Sequence, residues 1–304
     1  MDYVLTTNSL SKKYKDFQAL NNITMHVPKG AVYGFVGKNG ADKTTLIRLI
    51  CGLQEPTCGE YTLYGRKNTD KEIIKSRRRM GAVVETPSVW LDMTAEDNLK
   101  QQYLILGLPS FDGLEDILKL VGLAHTGNKK AKNFSLGMRQ RLGIAIALVG
   151  DPDFLVLDEP ANGLDPQGIV EIRELILRLN RERQITFLVS SHILDELSKF
   201  ATHYGFINDG RIVKEISAAE LEAACKKCVR IVVNNMKALV RVLDKMNVTY
   251  KIISDTEADI YTQINISPLT LALAKENCEV LSLQEREEGL ESYYMSLIGG
   301  ERYE

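Results

Sequence analysis

The stretch Gly34-Phe-Val-Gly-Lys-Asn-Gly-Ala-Asp-Lys-Thr-Thr45 constrains this chain more than any other. The apolar run from Ala31 to Val36 reads as a buried strand that breaks at Gly37. After Lys43-Thr44-Thr45, the apolar residues Leu46, Ile47, Leu49 and Ile50 fall at helical spacing. A strand, a glycine-bearing loop and a Lys-Thr pair opening a helix form the context of a phosphate-binding loop. Successive backbone N–H groups from Gly37 through Asn39 and Gly40 would join the helix N-terminus in a concave anion site. Lys43 would then reach the β- and γ-phosphates, Thr44 would ligate Mg²⁺, and Thr45 would complete the loop. An ordinary strand–turn–helix is the plainer alternative.

One position departs from the pattern of Gly, four residues, Gly-Lys-Ser/Thr: Asp42 stands where the second glycine belongs. Glycine there lets the backbone approach phosphate in conformations that a Cβ disfavours. A carboxylate about 5 Å from a phosphate charge, at an effective dielectric near 20, costs roughly 3 kcal/mol. That predicts nucleotide binding weakened on the order of a hundredfold.

With 304 residues, the chain is long for one domain and two are expected. Lys and Arg total 38 against 40 Asp and Glu, so no basic field favours nucleic acid. The run Arg77-Arg78-Arg79 reads as a solvated helix face. No apolar segment approaches the roughly 20 residues of a membrane-spanning helix, and Met1-Asp2-Tyr3 does not open a signal peptide. Five scattered cysteines fit a reducing compartment, and the Cys225-Lys-Lys-Cys228 pair has no second pair to complete a zinc site. These features predict an intracellular protein whose membrane role, if any, runs through a partner.

Along the chain, Tyr3 to Leu5 and Ile23 to Val27 read as short strands, with Leu10 to Phe17 a polar loop whose Tyr14 or Phe17 offers a face for a base. Tyr61 to Tyr64 and Gly81 to Val84 read as strands, the second running into Glu85. Lys71 to Arg79 and Phe111 to Val121 read as helices, and Thr94 with Asp97 as a capping box for a helix reaching Leu106. Ser135 is an N-cap for the apolar helix through Leu148, and with Gly137 it makes a second anion-binding helix start. Phe154 to Asp158 is an apolar strand ending in Asp158 and Glu159. An Asp so placed can hold Mg²⁺, and the adjacent Glu can polarise a water for attack on phosphate. Gly163-Leu-Asp165-Pro166 turns into a helix from Gln167 to Leu179. The strand Ile185 to Val189 ends in Ser190-Ser191-His192, which puts His192 within reach of a γ-phosphate.

In order and spacing, residues 1 to about 218 resemble the nucleotide-binding subunit of an ABC transporter. The resemblance identifies Gly37 to Thr45 as the Walker A loop, Ser135 to Gln140 as the signature, Leu155 to Glu159 as Walker B, Gly163 to Pro166 as the D-loop and His192 as the switch histidine. It implies an α/β P-loop NTPase of ABC-cassette type, with a mixed sheet and a helical subdomain at about 86–150. It also implies bound ATP and Mg²⁺, and a second cassette, pairing head to tail as a homodimer. Tyr14 would stack on adenine, Thr44, Asp158 and Glu85 would serve Mg²⁺, and Glu159 would be the general base. Ser135, Gly137 and Asp165 would meet nucleotide across the pair. Glu85, where most cassettes have Gln, and Ser-Leu-Gly-Met in the signature are similar to the bacitracin-exporter and lantibiotic-immunity branch. Its members protect bacteria against peptide antibiotics.

From residue 219 onward the order strand, helix, strand, strand, helix, strand predicts a small ferredoxin-like α+β domain, followed by a helix near Glu288 to Leu297. Three functions are weighed. The first is an ATPase subunit, cytoplasmic and peripheral at the inner face of the cell membrane, driving a separate permease. The second is a non-catalytic partner subunit, for which Asp42 speaks. The third is a cassette protein of ribosomes or DNA, which would bring tandem cassettes or coiled-coil insertions that this chain lacks.

Overall fold

The computed structural model describes residues 2–224, 227–262, 264–287, 293–295 and 297. The chain divides into two compact units, Met1–Ala218 and Ala219–Glu304. The first runs β1 (Tyr3–Tyr14), β2 (Phe17–Pro28), β3 (Val32–Val36), α1 (Lys43–Ile50), β4 (Cys58–Leu63), β5 (Arg66–Lys67), α2 (Ile73–Arg77) and β6 (Met80–Val83). It continues through α3 (Ala95–Leu106), α4 (Leu114–Leu120), α5 (Leu136–Leu148), β7 (Phe154–Asp158), α6 (Pro166–Arg183), β8 (Thr186–Ser191), α7 (Leu194–Ser198), β9 (His203–Asn208) and β10 (Arg211–Ser217).

A six-stranded sheet in the order β10-β9-β3-β8-β7-β6 carries the unit, parallel except for the β10 edge. Strands β3, β7 and β8 are buried along their whole length, which is why their centres read as apolar runs rather than alternating ones. Their register decides where chemistry can happen. Val36 lies opposite Ser191, and Asp158 opposite Ser190, so the loop after β3 and the last residues of β7 and β8 come out side by side. Ligands of open parallel sheets bind beyond those carboxyl ends.

Beside this sheet lies an antiparallel one, β2-β1-β4-β5. Here the sequence reading needs correction. Leu10 to Phe17 is not a loop; β1 runs to Tyr14, β2 starts at Phe17, and only Lys15-Asp16 turns the chain. Ser9 sits at φ +49, and the β1–β2 register shifts between Thr7 and Leu10 and again around Lys12. Each irregularity moves the side chains out of phase, so the period-2 pattern that would announce a long strand is lost.

Two further expectations change. The helix expected from Phe111 begins at Leu114, because Gly113 takes φ +78 ahead of it. The arginine run is solvated at Arg78 and Arg79 as expected, but α2 spans only Ile73–Arg77, so the run is not a helix face. Arg77 donates to the Tyr61 hydroxyl at 2.6 Å, while Arg79 pairs with Asp153 and covers the Tyr64 ring at 3.8 Å.

The second unit runs α8 (Ala218–Ala224, which begins at the boundary), β11 (Lys227–Val233), α9 (Met236–Lys245), β12 (Tyr250–Ile252), β13 (Glu257–Ile260), α10 (Ile266–Lys275) and β14 (Val280–Glu287). Its sheet, in the order β12-β13-β11-β14, is antiparallel throughout, as a ferredoxin-like unit requires. Ile231, Val233, Leu239, Leu243, Leu269 and Leu273 form its core. Arg230 grips Asp259 through two bonds of 2.7 Å, so that buried carboxylate is fully paired. Cys225 of the CxxC pair lies outside the described residues, as does most of the helix expected near 288–297. No described helix is long and apolar enough to cross a membrane.

Candidate functional site

The loop after β3 is shaped by its glycines. Gly37 is packed so closely that a Cβ would come within 2.6 Å of the Ile207 side chain and 2.8 Å of its carbonyl oxygen. Gly40 takes φ +82 at the exposed crest beside Asn39. Asp42 takes φ +61 and ψ +29 immediately before α1, a left-handed conformation that costs a non-glycine residue about 1 kcal/mol. The sequence reason for glycine at this position is therefore visible as backbone geometry.

Lys43 is buried, at 6% exposure. Its ammonium donates to the carbonyls of Gly37 (2.7 Å) and Lys38 (3.2 Å) and lies 3.2 Å from Glu159 Oε1. Thr44 donates its hydroxyl to Asp158 Oδ2 at 2.8 Å, while Ser190 donates to Asp158 Oδ1 at 2.6 Å. The Glu159 N–H donates to the Ser190 hydroxyl at 2.9 Å. Glu159 itself stands at φ +49, and its second oxygen, Oε2, is 2.6 Å from His192 Nδ1. One network therefore joins the ends of three neighbouring strands: Lys43, Thr44, Asp158, Glu159, Ser190 and His192. A hydroxyl beside a carboxylate is the oxygen donor set that a hard cation such as Mg²⁺ takes, and the glycine cradle with a buried ammonium suits a polyphosphate.

Asp42 keeps its carboxylate within 3.1 Å of the Thr45 hydroxyl, which donates to it. Burial pushes the Asp42 carboxyl above its ordinary value of 3.8, against a smaller downward pull from that hydroxyl. A carboxyl raised on folding holds more protons folded than unfolded. Its contribution to stability is thus complete below the unfolded value and is lost as pH climbs through the folded one. Asp42→Asn is expected to raise the melting temperature near neutral pH and to leave it unchanged near pH 3. An equal gain at both pH values would mean that the charge is not the cause.

Other expected site residues stand apart from this network. Glu85, at φ +59, gives its carboxylate to Arg48 of α1 at 2.6 Å. Ser135 caps α5, accepting from the Met138 N–H at 3.2 Å, and Asp165 caps α6, accepting from the Gly168 N–H at 2.9 Å. These two caps form a second exposed cluster, in which Leu136 lies against Gly163 and Leu164 against Gly137. Tyr14 lies at the hairpin tip with its hydroxyl on Gln54.

Three residues of the site escaped the sequence reading as participants. Ser190 is fully buried and organises both acids; a hydroxyl directly after the apolar run of its strand was its only signal. Gln140 donates to the Pro160 carbonyl at 3.0 Å, tying α5 to the residue after Glu159. Arg48 was an ordinary polar position on a helix. In each case the partner is distant in sequence.

The family model described as ABC transporter matches residues 20–162. The chain is 37% identical over 305 residues to the bacitracin transport ATP-binding protein BcrA of Bacillus licheniformis, covering 99% of each chain. It is 41% identical over 212 residues to the lantibiotic transport ATP-binding protein SrtF of Streptococcus pyogenes, covering 70% of this chain and 90% of that one. Among solved structures, cbiO1 from Clostridium perfringens, part of the ABC transporter complex cbiONQ, superposes with a TM-score of 0.66 at 25% identity, over 81% of this chain and 96% of that chain. The dimeric ATP-binding cassette MJ0796, bound to ADP and Pi in a post-hydrolysis state, gives a TM-score of 0.63 at 26% identity, over 70% of this chain and 98% of its own.

Proposed function

This chain belongs to the ABC transporter family of ATP-binding proteins, and from that premise we propose that it is the ATP-hydrolysing subunit of a peptide-antibiotic transporter, working with a separate membrane permease. The observation that carries the reading is the single network from Lys43 through Glu159 to His192, with Thr44 and Asp158 beside it. In this role Gly37, Asn39, Gly40 and Thr45 shape the phosphate cradle, and Lys43 leaves its loop carbonyls for the β- and γ-phosphates. Thr44 and Asp158 hold Mg²⁺, with Glu85 available if Arg48 releases it; the ion supplies charge neutralisation when bound. Glu159, gripped by Lys43 on one oxygen and His192 on the other, takes the proton of the attacking water. The anion-binding helix start at Ser135 and Gly137, and Asp165 beside it, face a second copy of the chain. The names of BcrA and SrtF support bacitracin-like or lantibiotic peptides as the cargo class. A permease partner would hold the subunit at the inner face of the membrane.

The test is phosphate release from MgATP by the purified full chain, against a Lys43→Ala background. Hydrolysis above that background supports the reading. A second reading, a non-catalytic partner subunit, is favoured by Asp42 alone. It moves ahead if neither this chain nor its Asp42→Gly version releases phosphate while still binding ATP.

A further inference from the structure

An aromatic ring at the tip of a hairpin has little reason to keep one position, yet Tyr14 is held from several sides. Its phenol donates to Gln54 Oε1. On the same hairpin the Lys13 N–H donates to the Thr57 hydroxyl at 2.9 Å, and the Ser11 carbonyl accepts from the Thr57 N–H at 2.9 Å. The Lys12 ammonium donates to the Glu55 carbonyl at 2.6 Å and lies 5.2 Å from the centre of the Tyr14 ring. All four anchors fall in the short segment from Gln54 to Thr57, which begins just past the end of α1. The opposite end of α1 carries Lys43 and Thr44. The ring is therefore strapped to the far end of the helix that bears the phosphate cradle.

This arrangement determines what the ring can offer. Lys12 lies over one face, and the residue as a whole is 38% exposed. The hydroxyl proton is committed to Gln54, so the hydroxyl cannot donate to the edge of a base. What remains is an aromatic face, which attracts any base of sufficient area with little regard to its hydrogen-bonding edge. Phe17, paired with Tyr14 across the turn, is 59% exposed.

We infer that Gln54 is a positioning residue for the base end of the nucleotide site, locking Tyr14 so that its ring is held ready to stack on a purine. The inference rests on the reading that this chain binds a nucleoside triphosphate. It gains weight from Asp42: with a carboxylate in the phosphate cradle, the base end supplies a larger share of the affinity.

The experiment is calorimetry of the full chain with MgATP, MgGTP and inorganic tripolyphosphate, for the unchanged protein, Gln54→Leu, Tyr14→Phe and the double variant. Each single change is expected to weaken ATP and GTP binding about three- to tenfold, the worth of one well-placed hydrogen bond, and to leave tripolyphosphate binding unchanged. The double variant should bind no more weakly than the poorer single one, because the two groups act as a unit. Full ATP affinity in Gln54→Leu, or an equal loss of tripolyphosphate, overturns the inference. If neither the unchanged protein nor its Asp42→Gly version binds any of the three probes, the nucleotide reading itself falls and the inference with it. If ATP binds to every variant alike, only the inference falls.

Discussion

Glu159→Gln is expected to lower the rate of ATP hydrolysis by a factor on the order of 10²–10⁴, the usual contribution of a positioned general base. The substitution keeps the size and shape of the side chain and removes only its ability to take a proton. Glu159 is held in place by more than its own rotamer. Its N–H is fixed by Ser190, and its two oxygens meet Lys43 and His192. Those contacts survive in weaker form with an amide, so the fold should persist. Binding should persist too, and improve slightly, because Lys43 no longer divides its charge between a carboxylate and a phosphate. The measurement is turnover at saturating MgATP beside calorimetric affinity on the same preparations. Turnover within threefold of the unchanged protein would remove Glu159 from the role of base.

The second large effect is on affinity. Asp42→Gly is expected to tighten MgATP binding at least tenfold and up to about a hundredfold. The upper figure is the loss of a like-charge contact worth roughly 3 kcal/mol. The lower one allows for solvent screening, since the Asp42 side chain is only half-buried. The cost that burial places on the carboxylate is partly offset by its surroundings. A helix N-terminus favours negative charge, and Asp42 stands at the start of α1 with the Thr45 hydroxyl donating to it. The same preference makes it a competitor of the anion that the loop is shaped to hold. Calorimetry of the two chains in Mg²⁺ decides the matter. Equal affinities would mean that the carboxylate does not face the phosphates.

Much of the first unit could be read before any coordinate was known, and the reasons are local. A buried strand ending at Gly37, a helix opening at Lys43 and a strand ending in Asp158-Glu159 each announce themselves within a dozen residues. The register that places these strand ends together is a property of any parallel sheet with this order. The second unit was legible in element order because its helices and strands alternate cleanly around their apolar positions. The long first hairpin was not, since irregular register at Ser9 and Lys12 scrambles the alternation. Nor were the pairings of Glu85 with Arg48, Gln140 with Pro160 or Tyr14 with Gln54. In each of these a polar side chain meets a group 20 to 40 positions away, and no spacing rule foretells that.

Three acidic residues around the site, Asp42, Glu85 and Glu159, stand in left-handed backbone at φ +61, +59 and +49. Each would relax by about 1 kcal/mol as glycine. At Glu159 that relaxation would erase the carboxylate that the proposed chemistry needs, so on that reading stability and activity pull in opposite directions, as is common where a fold holds reactive groups. At Asp42 they pull together: glycine would both ease the backbone and clear the charge from the cradle. A selection for greater heat resistance and a selection for tighter nucleotide binding would therefore converge on residue 42 and part company at residue 159.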